Sequence, residues 1–525
     1  MRIRRLLALP LALLTGAVLS SETVLTTSGP VKGHVSTVRP GVQEYLGIPY
    51  ARPPKGELRF MPPVRYEGED EIDASRWAPD CPHTPGKPID FPHETPIMKE
   101  IVANFGGQKG YPQSEDCLKL NIWTKANTDN TTKPKPKPVL VWIHGGRFTI
   151  GSAHNLFYQG QYLADEEDIV VVTVQYRTNI FGFPGAPNHP PNLGLMDQRL
   201  AMGWVRDNIA SFNGDPSRIT ISGQSAGGVA VDYFTYAYHS DPIVAGVIPM
   251  SGTALSMRPN SRELSEGYWI RAAKEAGCEG SDGAVMQCMR EKSTEELLAA
   301  VKKVPFAPSK ALNQPVFHPT VDNEIVFNDY EALSEQGEFI KVPYLVGNTA
   351  KESGFYAIAA LTSNITMTPH QWTLFNGAGF TCPSSRAASH RAAHDVPVWR
   401  YAYHGQWPNS IMYEAPGTGD GGSGPYHGSD VAQVFGTAED VSGGVKNTEM
   451  EGEVGRGMRA VWGAFVRDPV GGIGREMGWR KYGETKKVVA FGYENQGGPV
   501  FLDSEVVDGV CEVVGTDTSF AQGAF

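Results

Sequence analysis

An α/β architecture is encoded here: a large, mostly parallel central sheet covered by helices, with long loop insertions. Three features predict it. Short apolar runs rich in β-branched residues recur at Val139–Ile143, Ile169–Val174, Ile219–Ser222, Val342–Val346 and Trp399–Tyr403. They are apolar throughout instead of alternating, as strands covered on both faces are. Helical spacing appears between them, with Leu200, Trp204 and Asn208 in one stretch and Met458, Trp462 and Phe465 in another. Strands alternating with helices build a parallel sheet. The 59 glycines and 39 prolines among 525 residues supply the loops.

The N-terminus reads as an export signal. Arg2, Arg4 and Arg5 precede an apolar run from Leu6 to Leu14, and small residues lead to Ser20 and Ser21. This predicts a secretory signal peptide over residues 1–20 and a single domain over 21–525. Pro10 and the shortness of the apolar run argue against a membrane span, which needs about 20 residues. No later run is long enough, so no transmembrane anchor is expected. The predicted location is extracellular. Six cysteines, an even number, suit disulfides in an exported chain, and fifteen connectivities are open. Asn130 and Asn364 head N-x-S/T sequons and are candidate glycosylation sites. The alternating tract Lys133–Pro138 predicts an exposed connector, because each proline removes a ladder donor.

With 41% hydrophobic and 20% charged residues, the chain can bury a core, which excludes disorder or a fibrous architecture. A net charge of −11 and the lack of an arginine-rich motif argue against a nucleic-acid partner. His390 and His394 stand four apart but lack the glutamate of a zinc-binding helix, and Gly417–Gly422 lacks the flanking strand and helix of a dinucleotide site. No metal and no cofactor are expected.

The sharpest chemical signal is Gly223-Gln224-Ser225-Ala226-Gly227-Gly228, directly after the run Ile219–Ser222 and before the helix-capable Val229-Ala230-Val231. A serine held on a strand-to-helix turn exposes its hydroxyl, and the flanking glycines let backbone pass closely on both sides. The Ala226 N–H, first in the helix, is left to stabilise a developing oxyanion. Upstream, His144-Gly145-Gly146-Arg147-Phe148 ends another strand and can present further N–H donors toward the same point.

On these residues the chain resembles the type-B carboxylesterases, the cholinesterase and lipase group of the α/β-hydrolase fold. Gly47-Ile48-Pro49-Tyr50-Ala51-Arg52-Pro53-Pro54 and Ser114-Glu115-Asp116-Cys117-Leu118-Lys119-Leu120-Asn121 are similar to its two N-terminal signatures. Asn192–Gln198 and Trp204–Ile209 lead into the serine motif as they do in that family. The likeness runs from residue 24 to residue 500. It implies a secreted serine hydrolase of carboxylic esters with Ser225 as nucleophile, His427 as base and Glu352 as the acid orienting it. It further implies an oxyanion hole from Gly145, Gly146, Arg147 and Ala226, support from Ser251, and disulfides Cys81–Cys117, Cys278–Cys288 and Cys382–Cys511. The partner is then a small-molecule or lipid ester, and the oligomeric state is left open.

Three departures stand out. Gln224 replaces a glutamate common in the family, Arg147 replaces a usual glycine or alanine, and the interval from Glu352 to His427 is short. Ile97, Met98, Ile101, Val102 and Phe105 have helical apolar spacing inside the 81–117 loop. That stretch suits a small helix packed on the body, or a lid, and the lid goes with an alternative reading as a lipase or sterol esterase. A non-catalytic, cholinesterase-like binding or adhesion protein is the alternative of another class.

Overall fold

The structure, a computed structural model, describes residues 23–126, 135–305, 315–363, 365–414 and 422–516. Within them eleven strands form one sheet. In chain order these are β1 (His34–Val35), β2 (Val42–Pro49), β3 (Lys119–Lys125), β4 (Lys137–Ile143), β5 (Val170–Val174), β6 (Gly214–Gln224), β7 (Gly246–Met250), β8 (Tyr344–Thr349), β9 (Val398–Tyr403), β10 (Lys487–Phe491) and β11 (Val500–Asp503). Their spatial order is β11-β10-β9-β8-β7-β6-β4-β5-β3-β2-β1. Strands β4 to β10 run parallel, while antiparallel pairs finish both edges. The fold is that of the α/β-hydrolases. A small separate sheet joins Thr23–Thr26, Gly29–Lys32 and Ile72–Asp73.

Every residue of β4, β5, β7, β8 and β9 is buried, which explains the absence of polar alternation. Period-2 geometry still sorts the side chains. Val139, Val141 and Ile143 enter one core, and Leu140 and Trp142 enter the other. On the first face pack α2 (Leu193–Asn208), through Trp204 and Val205, and α3 (Ala226–Ala237), through Val229 and Val231. On the second packs α5 (Glu449–Arg467), which buries Met458, Trp462 and Phe465. A capping box between Thr448 and Glu451 starts α5.

The connector expectation for Lys133–Pro138 is corrected in its second half. Lys135 and Pro136 are exposed, but Lys137 and Pro138 are the first, buried residues of β4. Lys137 is tolerated there because its ammonium donates to the Lys125 carbonyl at 2.6 Å and pairs with Asp168 at 2.8 Å. Its N–H donates to the Asn213 carbonyl, so Pro138 lacks a donor only at a strand end. Residues 133 and 134 lie outside the described residues.

The predicted helix in the 81–117 loop is present as α1 (Met98–Phe105), with Met98, Ile101 and Val102 buried. Cys81–Cys117, Cys278–Cys288 and Cys382–Cys511 are bonded, with Cα separations of 5.0, 5.6 and 5.5 Å. The last ties α6 (Ser504–Thr516) to the body. Among the described residues no helix is long and apolar enough to cross a membrane.

Candidate active site

The sheet topology gathers the site. Strands β4, β6, β7 and β8 are parallel and close in space, so the residues that follow them emerge at one edge, where open α/β sheets bind ligands. Gly145–Arg147 follow β4, Ser225 follows β6, Ser251 follows β7 and Glu352 follows β8. His427 arrives on the long segment after β9.

Ser225 alone separates β6 from α3. Its φ of 60° and ψ of −127° are those of a strained turn. The turn is held by its own groups. The Ser225 N–H donates to the Met250 carbonyl, and its carbonyl accepts from the Val229 N–H, both at 2.9 Å. The flanking glycines are needed sterically. A Cβ on Gly223 would lie 2.5 Å from the Gly227 carbonyl carbon and oxygen, and one on Gly227 would lie 2.1 Å from the Ile143 carbonyl oxygen.

The Gly145–Arg147 loop abuts this turn. A Cβ on Gly145 would stand 3.0 Å from the Ser225 Cβ. Gly146, Arg147 and Phe148 all take positive φ, at 100°, 58° and 60°. The Thr149 and Ile150 N–H groups close the turn by donating to the Gly146 carbonyl, at 3.0 and 3.1 Å, and Asn179 N–H donates to the Phe148 carbonyl at 2.7 Å. His144 anchors its root, stacked on Tyr176 at 4.3 Å, and burial lowers its pKa to about 4. The imidazole is therefore neutral at physiological pH.

Across the cleft, Glu352 is fully buried. Its Oε1 accepts from the Ser251 hydroxyl and the Thr349 N–H, each at 2.7 Å. Its Oε2 accepts from His427 Nδ1 at 2.5 Å. These bonds compensate the burial of a carboxylate, which is otherwise costly. The His427 ring packs against Tyr356 and Phe380, at 5.2 and 5.0 Å between centroids. The structure thus brings together Ser225, Ser251, Glu352, His427 and the Gly145–Arg147 loop.

Four contributors were not assigned a place here from sequence. The Gln224 side-chain nitrogen lies 3.1 Å from His427 Nε2. The Tyr356 hydroxyl lies beside the Ser225 side chain, and burial raises its pKa well above that of an ordinary phenol. A sequence signal existed for it: Tyr356 is four residues after Glu352, one turn along α4 (Ser353–Thr362), and so on the same face. Asp430, within the segment that carries His427, is fully buried and accepts from the Tyr401 hydroxyl at 2.8 Å. Burial first, then the negative charge of Glu352, pushes its pKa up to about 7. Phe105 brings α1 to the site, 4.2 Å from Phe157 and 5.4 Å from Phe355 between centroids. The Arg147 side chain is half-buried, and burial lowers its pKa, opposed by the nearby Tyr356 hydroxyl.

His390 is paired with Glu331 at 3.0 Å, and His394 faces the Glu335 carbonyl at 2.9 Å. Among the described residues no cluster of His, Cys, Asp or Glu is arranged to hold a metal ion. Residues 1–20, Asn130, Asn364 and Gly417–Gly421 lie outside the described residues.

Known proteins match along most of the chain. The sequence profile described as "Carboxylesterase family" matches residues 20–373. A chlorogenic acid esterase of Aspergillus niger is 33% identical, over 86% of this chain and 83% of its own length. A protein named secreted lipase 5, of Gibberella zeae, is 32% identical over 96% of this chain and 97% of its own. A solved thermophilic PNB esterase shares the fold, with a TM-score of 0.76 and 24% identity, over 94% of this chain and all of its own.

Proposed function

The chain belongs to the carboxylesterase family and is a carboxylic ester hydrolase; we propose that it is a secreted serine esterase working through Ser225, His427 and Glu352. The observation that carries this reading is the buried 2.5 Å contact between His427 Nδ1 and Glu352, beside a serine on a strained turn. Residues 1–20 act as the export signal, 21–525 form the mature domain, and Asn130 and Asn364 carry glycans. The substrate is a small-molecule or lipid ester. The names of two relatives, a chlorogenic acid esterase and a secreted lipase, fit that class and that location.

Ser225 Oγ attacks the ester carbonyl while His427 Nε2 takes its proton. Glu352 fixes the proton-on-Nδ1 tautomer and stabilises the imidazolium. The carbonyl electrons move onto oxygen, where the N–H groups of Gly146, Arg147 and Ala226 donate, with Gly145 shaping the approach. His427 then protonates the leaving alkoxide as the tetrahedral intermediate collapses. Water, deprotonated by His427, attacks the acyl-enzyme and releases the acid and free Ser225.

Hydrolysis of p-nitrophenyl esters from acetate to palmitate tests this. Wild type is expected to turn over, and Ser225→Ala to lose about 10⁴-fold or more of kcat, because members of such a triad act as a unit. Equal activity of the two proteins would overturn the assignment. An optimum at long chains, rising above substrate solubility, would favour the lipase reading, which α1 within the disulfide loop and the secreted-lipase relative support. No turnover on any ester of the series would overturn the assignment of Ser225, His427 and Glu352 as the working triad.

A further inference from the structure

Gln224 fills the seam between the two halves of the site. It is the last residue of β6, immediately before the nucleophile, and only 5% exposed. Its Nε2 lies 3.1 Å from His427 Nε2. Its other end reaches the oxyanion loop, since a Cβ on Gly145 would stand 3.4 Å from Oε1 and 2.5 Å from the residue's own carbonyl oxygen. Nε2 also lies 3.4 Å from where a Cβ on Gly428 would be. One side chain therefore touches both the loop that receives the oxyanion and the segment that carries the base.

The chemistry of that contact has a direction. A carboxamide NH₂ only donates, so the ring nitrogen facing it accepts. The ring proton is then on Nδ1, where Glu352 accepts it. We propose that Gln224 is a positioning residue: its side-chain amide donates to His427 Nε2, holds that nitrogen ready to accept a proton, and yields the position to the Ser225 hydroxyl when substrate arrives. This rests on His427 being the base of the proposed reaction.

Protonation of His427 at Nε2 would set an N–H against the amide NH₂, two donors facing each other. A glutamate at 224 would offer only acceptors and a negative charge, and would favour the imidazolium instead. Among the described residues, the other titratable or charged groups near the ring are Glu352, Asp430 and Tyr356, with Arg147 close to Tyr356. All are unchanged when residue 224 alone is varied.

The test is the pH dependence of kcat/KM for a non-ionising ester, measured on wild type, Gln224→Glu and Gln224→Leu. Competent sites are counted with a fluorophosphonate that labels Ser225, and Ser225→Ala serves as control. The acid limb is expected to move up by about one pH unit in Gln224→Glu, as an added nearby charge produces. In Gln224→Leu, which has neither donor nor charge, it should fall in between. Rates per competent site at the plateau should stay within about tenfold of wild type. If the limbs coincide while rates fall, Gln224 is only a packing residue and the proposal is overturned. If turnover does not depend on Ser225 in any protein, the catalytic reading itself fails, and this inference with it. Should Gln224→Leu not fold, Gln224→Met, equally without donor or charge, takes its place.

Discussion

The two sides of the cleft are built on different physics. The serine side, Gly223–Gly228 with His144–Phe148, is a problem of space: backbone passes backbone so closely that a single Cβ collides. The proposed acid–base side, Glu352, His427, Asp430 and Ser251, is a problem of charge: a carboxylate and an imidazole are removed from water and compensated by a few directed hydrogen bonds. Substitutions of the glycines on the first side should therefore act on folding, and loss of the Glu352 charge on the second should act on rate.

The sharpest way to break that contrast is Gly227→Ala. A methyl group 2.1 Å from the Ile143 carbonyl oxygen has no room, and both partners are backbone. Loss of soluble, folded protein is expected, read by circular dichroism and fluorophosphonate labelling of Ser225. A well-folded, active Gly227→Ala protein would show that the turn is not sterically locked. On the other side, Glu352→Gln keeps the volume and removes the charge. The expected outcome is a normal melting temperature with kcat lower by about 10³–10⁴-fold, because the imidazolium loses its counter-charge and the tautomer its guide. A loss below tenfold would mean that another group orients His427.

The same contrast governs what was legible in the sequence. The serine side announces itself locally, because tight backbone contact demands glycine and the glycines flank Ser225 in a short run. Glu352 and His427 carry no such mark. They meet only because β8 and β9 are parallel neighbours, and the sequence located them through family resemblance alone. Tyr356 and Asp430 lay one turn or less from quoted residues, yet nothing in a tyrosine or an aspartate reveals burial against a serine or a carboxylate. The buried start of β4 failed for a related reason. Lys137 is polar by type, and its burial at the start of the strand is compensated by the Lys125 carbonyl and Asp168, supplied by other parts of the chain.

A subtler test uses Asp430, whose carboxyl is held well above its ordinary value, at about 7, by burial and by Glu352. Between its unfolded pKa and pH 7 the folded protein holds a proton that the unfolded chain has released. Stability from this group is thus fully present at low pH and is lost as pH rises toward 7, by about 1.4 kcal/mol per unit of displacement. Asp430→Asn should flatten the fall in denaturation midpoint across that window while retaining most of kcat. An unchanged pH profile of stability in the variant would show that Asp430 ionises as an ordinary surface acid does.

The smallest expected effect belongs to Tyr356, which links the two sides by placing a hydroxyl from α4 beside Ser225 while its ring packs on His427. Its raised pKa keeps the phenol protonated, so it does not act as a base. Tyr356→Phe removes one neutral hydrogen bond and keeps the ring contact. Such a bond is worth about 0.5–1.5 kcal/mol, so kcat should fall about 3- to 10-fold with little change in KM or melting temperature. A fall in stability instead of rate would place Tyr356 with the packing of the serine side. A drop of kcat by 10³-fold would make it a full member of the charge-handling side, and the division drawn between the two would have to move to include α4.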